Sequence, residues 1–314
     1  VIGAGTPASC TFDKLASAVA TGGIITFNCG DAVASIAVTA TLALKTDRNT
    51  IIDGGHKIIL DGGGAVRILS WNHGDYQVND KGLTLQRIEL VNGKASATER
   101  IPTCPSPCSQ GYNDGEGGAL YMRDGVLRVI DATFANNQAA ELGPDTGGGA
   151  IYVLGAKPAY IAGSTFQNNK ASNAGAVGFL QTGIFIYNSL FEGNSAVGNG
   201  ANNDDASKCS CINNGQHEIG SGGNGGAIYN DGVQYNDGAP NDVTICGTQL
   251  RNNSSNAFGA GVFYTSNDGS GTIHIQDCLM SKNASRDEAG VWEWKPGIST
   301  NANTPDPINS VITK

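Results

Sequence analysis

The sequence predicts an all-β protein wound as a right-handed parallel β-helix. Residues 1–23 are expected to form an N-terminal cap around a short helix, and residues 24–314 one solenoid domain with long loops on one edge. Three observations lead there. Gly supplies 45 of the 314 residues, about twice ordinary usage. Apolar residues alternate at period two in short stretches, the spacing of half-buried strands. Such a stretch, then Phe-x-x-Asn, a loop and Gly-Ala-aliphatic recur along the chain, and a repeat of about 25 to 32 residues with Gly and Asn at its corners is a solenoid period.

Taken in order, Phe12, Leu15, Ala16, Val19 and Ala20 share helical spacing, and Thr21-Gly22-Gly23 stops the helix before the strand Ile24-Ile25-Thr26-Phe27. A helix there shields the first coil, whose core and strand edge would otherwise lie open. Later strands are expected at Gly82-Leu83-Thr84-Leu85, Val126-Leu127-Arg128-Val129-Ile130, Ile184-Phe185-Ile186 and Thr272-Ile273-His274-Ile275. Phe-x-x-Asn follows as Phe134-Ala-Asn-Asn137, Phe166-Gln-Asn-Asn169 and Phe191-Glu-Gly-Asn194. Looser copies are Leu250-Arg-Asn-Asn253, Met280-Ser-Lys-Asn283 and the eroded Leu90-Val-Asn-Gly93. The step from Phe191 to Leu250 is one coil with a large insertion, or two coils. The Asn is expected to take a left-handed backbone and to bond the next coil through its amide, making a ladder. The corner glycines Gly118, Gly149, Gly175 and Gly226 are expected to allow positive φ and to leave no room for bulk. Ile308-Asn-Ser-Val-Ile-Thr313 reads as a further coil strand.

Composition narrows the function. Charged residues are 15% and aromatics 7%, too few charges for a disordered polyampholyte or a coiled coil. A net charge of −9 argues against nucleic acid or anionic lipid as partner. No apolar run approaches the ~18 residues of a membrane helix, so no membrane insertion by a helix is expected. Eight cysteines without a zinc-type spacing point to disulfides and an oxidising compartment. Cys10 with Cys29 and Cys104 with Cys108 are plausible pairs, while Cys209, Cys211, Cys246 and Cys278 allow three connectivities. The first residues carry no basic and apolar leader, so a processed, secreted or cell-surface protein is expected.

The paired Gly-Gly-Ala-Ile/Leu and Phe-x-x-Asn motifs resemble the repeat of polymorphic outer-membrane proteins. The cap helix followed by Ile51-Ile52-Asp53-Gly54-Gly55 and Ile59-Leu60-Asp61-Gly62-Gly63 resembles secreted right-handed β-helix proteins of the pectin-lyase-like superfamily. That resemblance implies activity on polymeric sugars in a groove along the solenoid, often with Ca²⁺. It spans lyases, hydrolases, adhesins and passenger domains, so fold alone does not choose among them. The complete lyase or polygalacturonase catalytic strings are absent.

Insertions between Phe-x-x-Asn and Gly-Ala, at about 94–117, 138–148, 195–225 and 254–259, are expected to stack on one edge and mark the functional face. The richest holds Asp204, Asp205, Lys208, His217 and Glu218. As a lyase, the protein would use Lys208, His217, Arg100 or Tyr112 as base. Asp204, Asp205 and Glu218 would hold Ca²⁺ against the substrate carboxylate. As a hydrolase it would need two carboxylates across the glycosidic bond, from Asp204 or Asp205 with Glu218, Asp145 or Asp114. Arg100, Tyr112, Asp114 and Asp145 are candidate substrate contacts, and Trp292 and Trp294, with Trp71, candidate stacking platforms for sugar rings. The Asn-Asp-Gly strings lack the nonapeptide period of calcium β-rolls and read as turns; His56 and His274 read as surface residues. A solvated acidic loop pinned by disulfides would produce the same cluster. The leading expectation is a secreted polysaccharide lyase or glycoside hydrolase; the alternative is a non-catalytic adhesive or glycan-binding β-helix at the cell surface.

Overall fold

A computed structural model describes residues 1–101, 111–144, 146–199, 222–232, 242–266, 270–287, 290–295, 298–300 and 309–313. These wind as the expected right-handed parallel β-helix. Each coil visits three long sheets in turn. Sheet I stacks Gly23–Thr26, Thr50–Asp53, Gly82–Gln86, Val126–Ile130, Ala159–Ala162, Ile184–Tyr187, Val243–Cys246 and Ile273–Gln276. Sheet II runs from Ala34–Ala37 to Val311–Ile312, and sheet III from Leu42–Ala43 to Val291–Lys295, with Ile298–Thr300 added antiparallel. A fourth, short sheet, Lys170–Ala171 to Ala284–Asp287, fills the corner between II and III in the later coils. Leu190–Glu192 pairs directly with Gln249–Arg251, so the long step from Phe191 to Leu250 is a single coil with insertions.

One core runs the length of the stack. Its sheet II row is Ile36, Leu60, Leu90, Phe134, Phe166, Phe191, Leu250 and Met280, all buried and in register. Period-two alternation turns each of these inward while its strand neighbours face out. Phe134, Phe166 and Phe191 stack face to face with centroids 5.0 and 4.7 Å apart. The helix Phe12–Thr21 closes the N-terminal end. Thr11 caps it by accepting from the Lys14 amide, Gly22 ends it at φ 73°, and buried Leu15 and Val19 join the core. A Cys10–Cys29 disulfide ties this cap to the first coil.

The two Asn positions of the repeat divide the work expected of one. The left-handed residue is the third of the motif: Asn92, Asn136, Asn168, Asn252 and Lys282, with Gly193 in the same place. The ladder residue is the fourth. Asn137 receives the Gly93 amide at its Oδ1, Asn169 that of Asn137, Asn194 that of Asn169, Asn253 that of Asn194, and Asn283 that of Asn253, at 2.7–3.0 Å. Each Nδ2 donates to a carbonyl one coil back, such as Asn169 to Phe134. The Gly-Ala corner shows a similar split. Positive φ belongs to the residue before it, at Gly117, Gly148, Ala174, Gly225 and Gly259. Gly118, Gly149, Gly175 and Gly226 are there for space, since a Cβ on any would lie within 2.5 Å of a carbonyl oxygen of the next coil.

A second ladder lines the corner between sheets I and II. The Ala132 amide donates to Ser164 Oγ, Ser164 to Ser189, Ser189 to Thr248, and Cys278 to Ser310. Cys278 takes a hydroxyl's place in it, its thiol donating to the carbonyls of Gln276 and Ile245. Cys246 and Cys278 are free thiols, so the expected pairings of the last four cysteines do not form at these two. Cys278 is buried in the ladder, whereas Cys246 sits at an outward position of its strand. Cys104, Cys108, Cys209 and Cys211 lie outside the described residues.

Replacing Asn169 by Ala removes four side-chain hydrogen bonds from a buried corner and should lower unfolding free energy by about 3 kcal/mol. Asn168→Gly, at the left-handed position, should change it by less than about 0.5 kcal/mol. Urea denaturation of the two variants separates the roles.

Candidate functional site

Excursions leave the solenoid at two corners rather than one. Those bracketed by Phe-x-x-Asn and Gly-Ala lie between sheets II and III, as expected. Another, at 73–81, joins III to I, and the connections after Gly232 and Ser266 leave sheet III at the same corner, with residues 233–241 and 267–269 outside the described residues; no motif announces them. Sheet III therefore lies between two sets of excursions, and sheet I has one border free of them.

The outward row of sheet III places Ser70, Tyr121, Tyr152, Gly178, Tyr229 and Phe263 in register. Tyr121 stacks on Tyr152 and Tyr229 on Phe263, with centroids 6.4 and 4.8 Å apart. These rings are not free. Tyr152, Tyr229 and Phe263 are buried, and the Arg67 guanidinium covers Tyr121 at 5.2 Å while donating to the Glu116 and Gly117 carbonyls. Burial, reinforced by the Glu116 charge, pushes the Tyr121 phenol above its ordinary value, so it stays neutral. Trp71, expected with Trp292 and Trp294 as a stacking platform, instead faces inward and is fully buried in the core. Trp292 and Trp294 stand in the strand Val291–Lys295, at the positions beside Phe263 and Thr265; their side chains lie outside the described residues.

Of the residues expected to carry chemistry, Arg100, Tyr112 and Asp114 come together. Arg100 and Tyr112 face each other across an antiparallel pair, with the guanidinium 6.0 Å from the ring centroid. Asp114 accepts from the Thr98 and Glu99 amides and from Thr98 Oγ1. Partial burial disfavours its charge, but these hydrogen bonds outweigh burial and hold the carboxyl below its ordinary value. Asp114 thus ties the excursion's two arms together. Asp145, Asp204, Asp205, Lys208, His217 and Glu218 lie outside the described residues. Among the described residues, no three His, Cys, Asp or Glu side chains gather as a metal site would require.

Sheet I presents the opposite surface. On three successive strands, Arg128, Tyr160 and Phe185 form one outward row and Ile130, Ala162 and Tyr187 the other. Ile130, Tyr160 and Tyr187 are 40%, 39% and 38% exposed. Tyr160 stacks on Phe185 at 5.2 Å and 13°, and the Arg128 guanidinium lies 5.8 Å from the Tyr160 centroid. The Tyr160–Phe185 pair turns its ring edges to solvent, and Tyr187 and Ile130, on either side of the small Ala162, extend this into an exposed apolar platform. Strand alternation places these side chains outward, but period-two reading does not reveal which outward faces the excursions leave bare.

A buried acid at the III–I corner was also not legible in the sequence. Asp124 is fully buried and binds His73 Nδ1 at 3.0 Å, although the two are 51 residues apart. The turn at Asp124-Gly125 was its only local sign.

Residues 131–154 match the Chlamydia polymorphic membrane protein (Chlamydia_PMP) repeat. The stretch takes in one passage from sheet II through the ladder residue Asn137 and the corner Gly149-Ala150 into sheet III. No curated protein matches the chain, and no solved structure matches it. Among the described residues no helix is long and apolar enough to cross a membrane.

Acid should loosen the arms around Asp114. A lowered carboxyl contributes stability that is complete above its ordinary value of 3.8 and is lost as the pH falls through its lower folded-state value. The Thr98 and Glu99 amide resonances should shift in that window, and in Asp114→Asn should already be displaced at neutral pH.

Proposed function

We propose that this chain is a surface-displayed β-helix that binds an extended polysaccharide across the bare outer face of sheet I without cleaving it. The observation that carries the reading is the solvent-open platform of Tyr160, Phe185 and Tyr187 with Arg128 beside it. The ring edges of the stacked pair, with Tyr187 and Ile130 beside them, give a sugar's apolar face a partner that needs no rearrangement, and the guanidinium over the Tyr160 ring offers donors to sugar hydroxyls or a carboxylate. The same row continues along the axis with Thr84 before Arg128 and Thr244 and His274 after Phe185, placing polar groups on either side of the ring pair, which suits an extended polymer better than a small molecule. The match to a polymorphic membrane protein repeat supports display at a cell surface. The ladders make the body stiff, so the platform is held in its binding shape before any ligand arrives.

Binding to a panel of neutral and acidic polysaccharides should be detectable by calorimetry. Tyr160→Ala and Phe185→Ala should each weaken it about tenfold, with stability changed by less than about 1 kcal/mol because both rings are at the surface. The same incubations, with Ca²⁺ and with chelator, report on the enzymatic alternative. Unsaturated products would mark a lyase working through Lys208 or His217 with Asp204, Asp205 and Glu218 on the metal. New reducing ends alone would mark a hydrolase. Either would replace the binding reading, as would binding that the two ring variants leave untouched.

A further inference from the structure

The excursion at 73–81 does more than join sheet III to sheet I. It runs along the corner as a strap and is tied to several coils. His73 donates from Nδ1 to Asp124, and the Asn79 amide donates to the same carboxylate at 3.0 Å. The Asn79 side chain donates to the Thr46 carbonyl at 2.9 Å, toward the N-terminal coils. In the other direction, the Gln77 amide donates to the Gly155 carbonyl, and Gln77 Nε2 to the Gln181 carbonyl, both at 2.8 Å. Asp80 pairs with Lys157. The Tyr76 ring occupies the space a side chain at Gly155 would need, since a Cβ there would lie 2.2 Å from it.

Apart from the Tyr76 ring these ties are polar, and all of them belong to the strap alone. None belongs to the asparagine ladder or to an inward row of a sheet. The strap also carries costs of its own. Gln77 is held at φ 52°, and its Oε1 is buried without a hydrogen-bond partner. Such costs persist only where surrounding contacts impose them. The strongest of those contacts is Asp124, a fully buried carboxylate that also accepts from the Gly125 amide at 2.7 Å. Charged acceptors bind amides about twice as strongly as neutral ones, and two of this acceptor's three donor groups come from the strap.

We propose that residues 73–81 form a latch that opens as a unit while the coils stay wound, with Asp124 as its catch and the Gly155 recess as its seat. Opening frees Lys157 and uncovers the recess that Tyr76 fills, next to the strand that carries Tyr160. This rests on the strap's geometry and does not depend on what sheet I binds.

Hydrogen exchange on the whole chain tests it. In the parent protein the amides of Gln77, Asn79 and Lys81 should exchange faster than the ladder amides of Asn137, Asn169 and Asn194, because a local opening needs less free energy than global unfolding. Asp124→Asn should speed the strap amides by about a hundredfold and leave the ladder amides unchanged. Should Asp124→Asn also strip the ladder of protection, Gly155→Ala acts from the other end, displacing Tyr76 without touching the catch, and should speed the strap amides alone. Strap amides that exchange as slowly as the ladder in the parent would overturn the proposal. So would a folded Asp124→Asn protein with unchanged strap exchange, or a Gly155→Ala protein whose strap is no faster.

Discussion

Each coil turns from sheet II toward sheet III around a buried corner, where backbone amides meet neither water nor a strand partner. An orphaned amide there would be penalised in every coil. The buried asparagines remove the problem by reaching both ways along the axis, each accepting from an amide and donating to a carbonyl of the coil before, and Asn137, Asn169, Asn194 and Asn253 also donating to the asparagine oxygen of the coil after. Because each rung is completed by the next, the corner is stable only as a stack. The phenylalanine pile beneath it and the hydroxyl ladder at the I–II corner then fall into register, since all three repeat with the same rise per coil.

That registration fixes which surfaces are available. A sheet whose rows are locked along the axis shows the same position of every coil at the same height, so outward residues form tracks rather than scattered patches. Two sheets carry aromatic tracks with different fates. On sheet III the rings are stacked but buried, and they serve to pack the outer layer. On sheet I the track is a single stacked pair, Tyr160 and Phe185, and Tyr160 and Tyr187 keep more than a third of their surface in solvent. The distinction comes from the excursions at the corners, not from the strands, and it turns one of two similar faces into the candidate for recognition.

The strands, the cap helix, the ladder and the axial repeat were legible in the sequence because each depends on residues close together in the chain. Period two places Leu83, Val129 and Ile186 inward, and Thr21-Gly22-Gly23 marks the helix end. What was misread needed a second coil. Asn136 and Asn137 are adjacent and chemically identical, and only the neighbouring coil decides which is left-handed and which is the rung. Gly149 looks like a glycine chosen for its φ until the carbonyl of Gly175 is seen beside it. Cys278 looks like half of a disulfide until the row of Ser164, Ser189 and Thr248 shows that it stands in for a hydroxyl. His73 and Asp124, far apart in sequence, carry no shared pattern at all. The clustered acids of the long insertions were easy to notice for the opposite reason: composition is local, whereas convergence is not.

The rungs at Asn137, Asn169, Asn194, Asn253 and Asn283 are interchangeable, and the shortest step between them is 25 residues. A gene segment encoding one such step can be duplicated or deleted, and the new junction still joins an asparagine to an asparagine and a glycine corner to a glycine corner. Descent can thus lengthen or shorten the rod in whole coils, while the helix and disulfide at its N-terminal end stay as they are. Overall reach, rather than shape, is the property that such a protein can vary most freely.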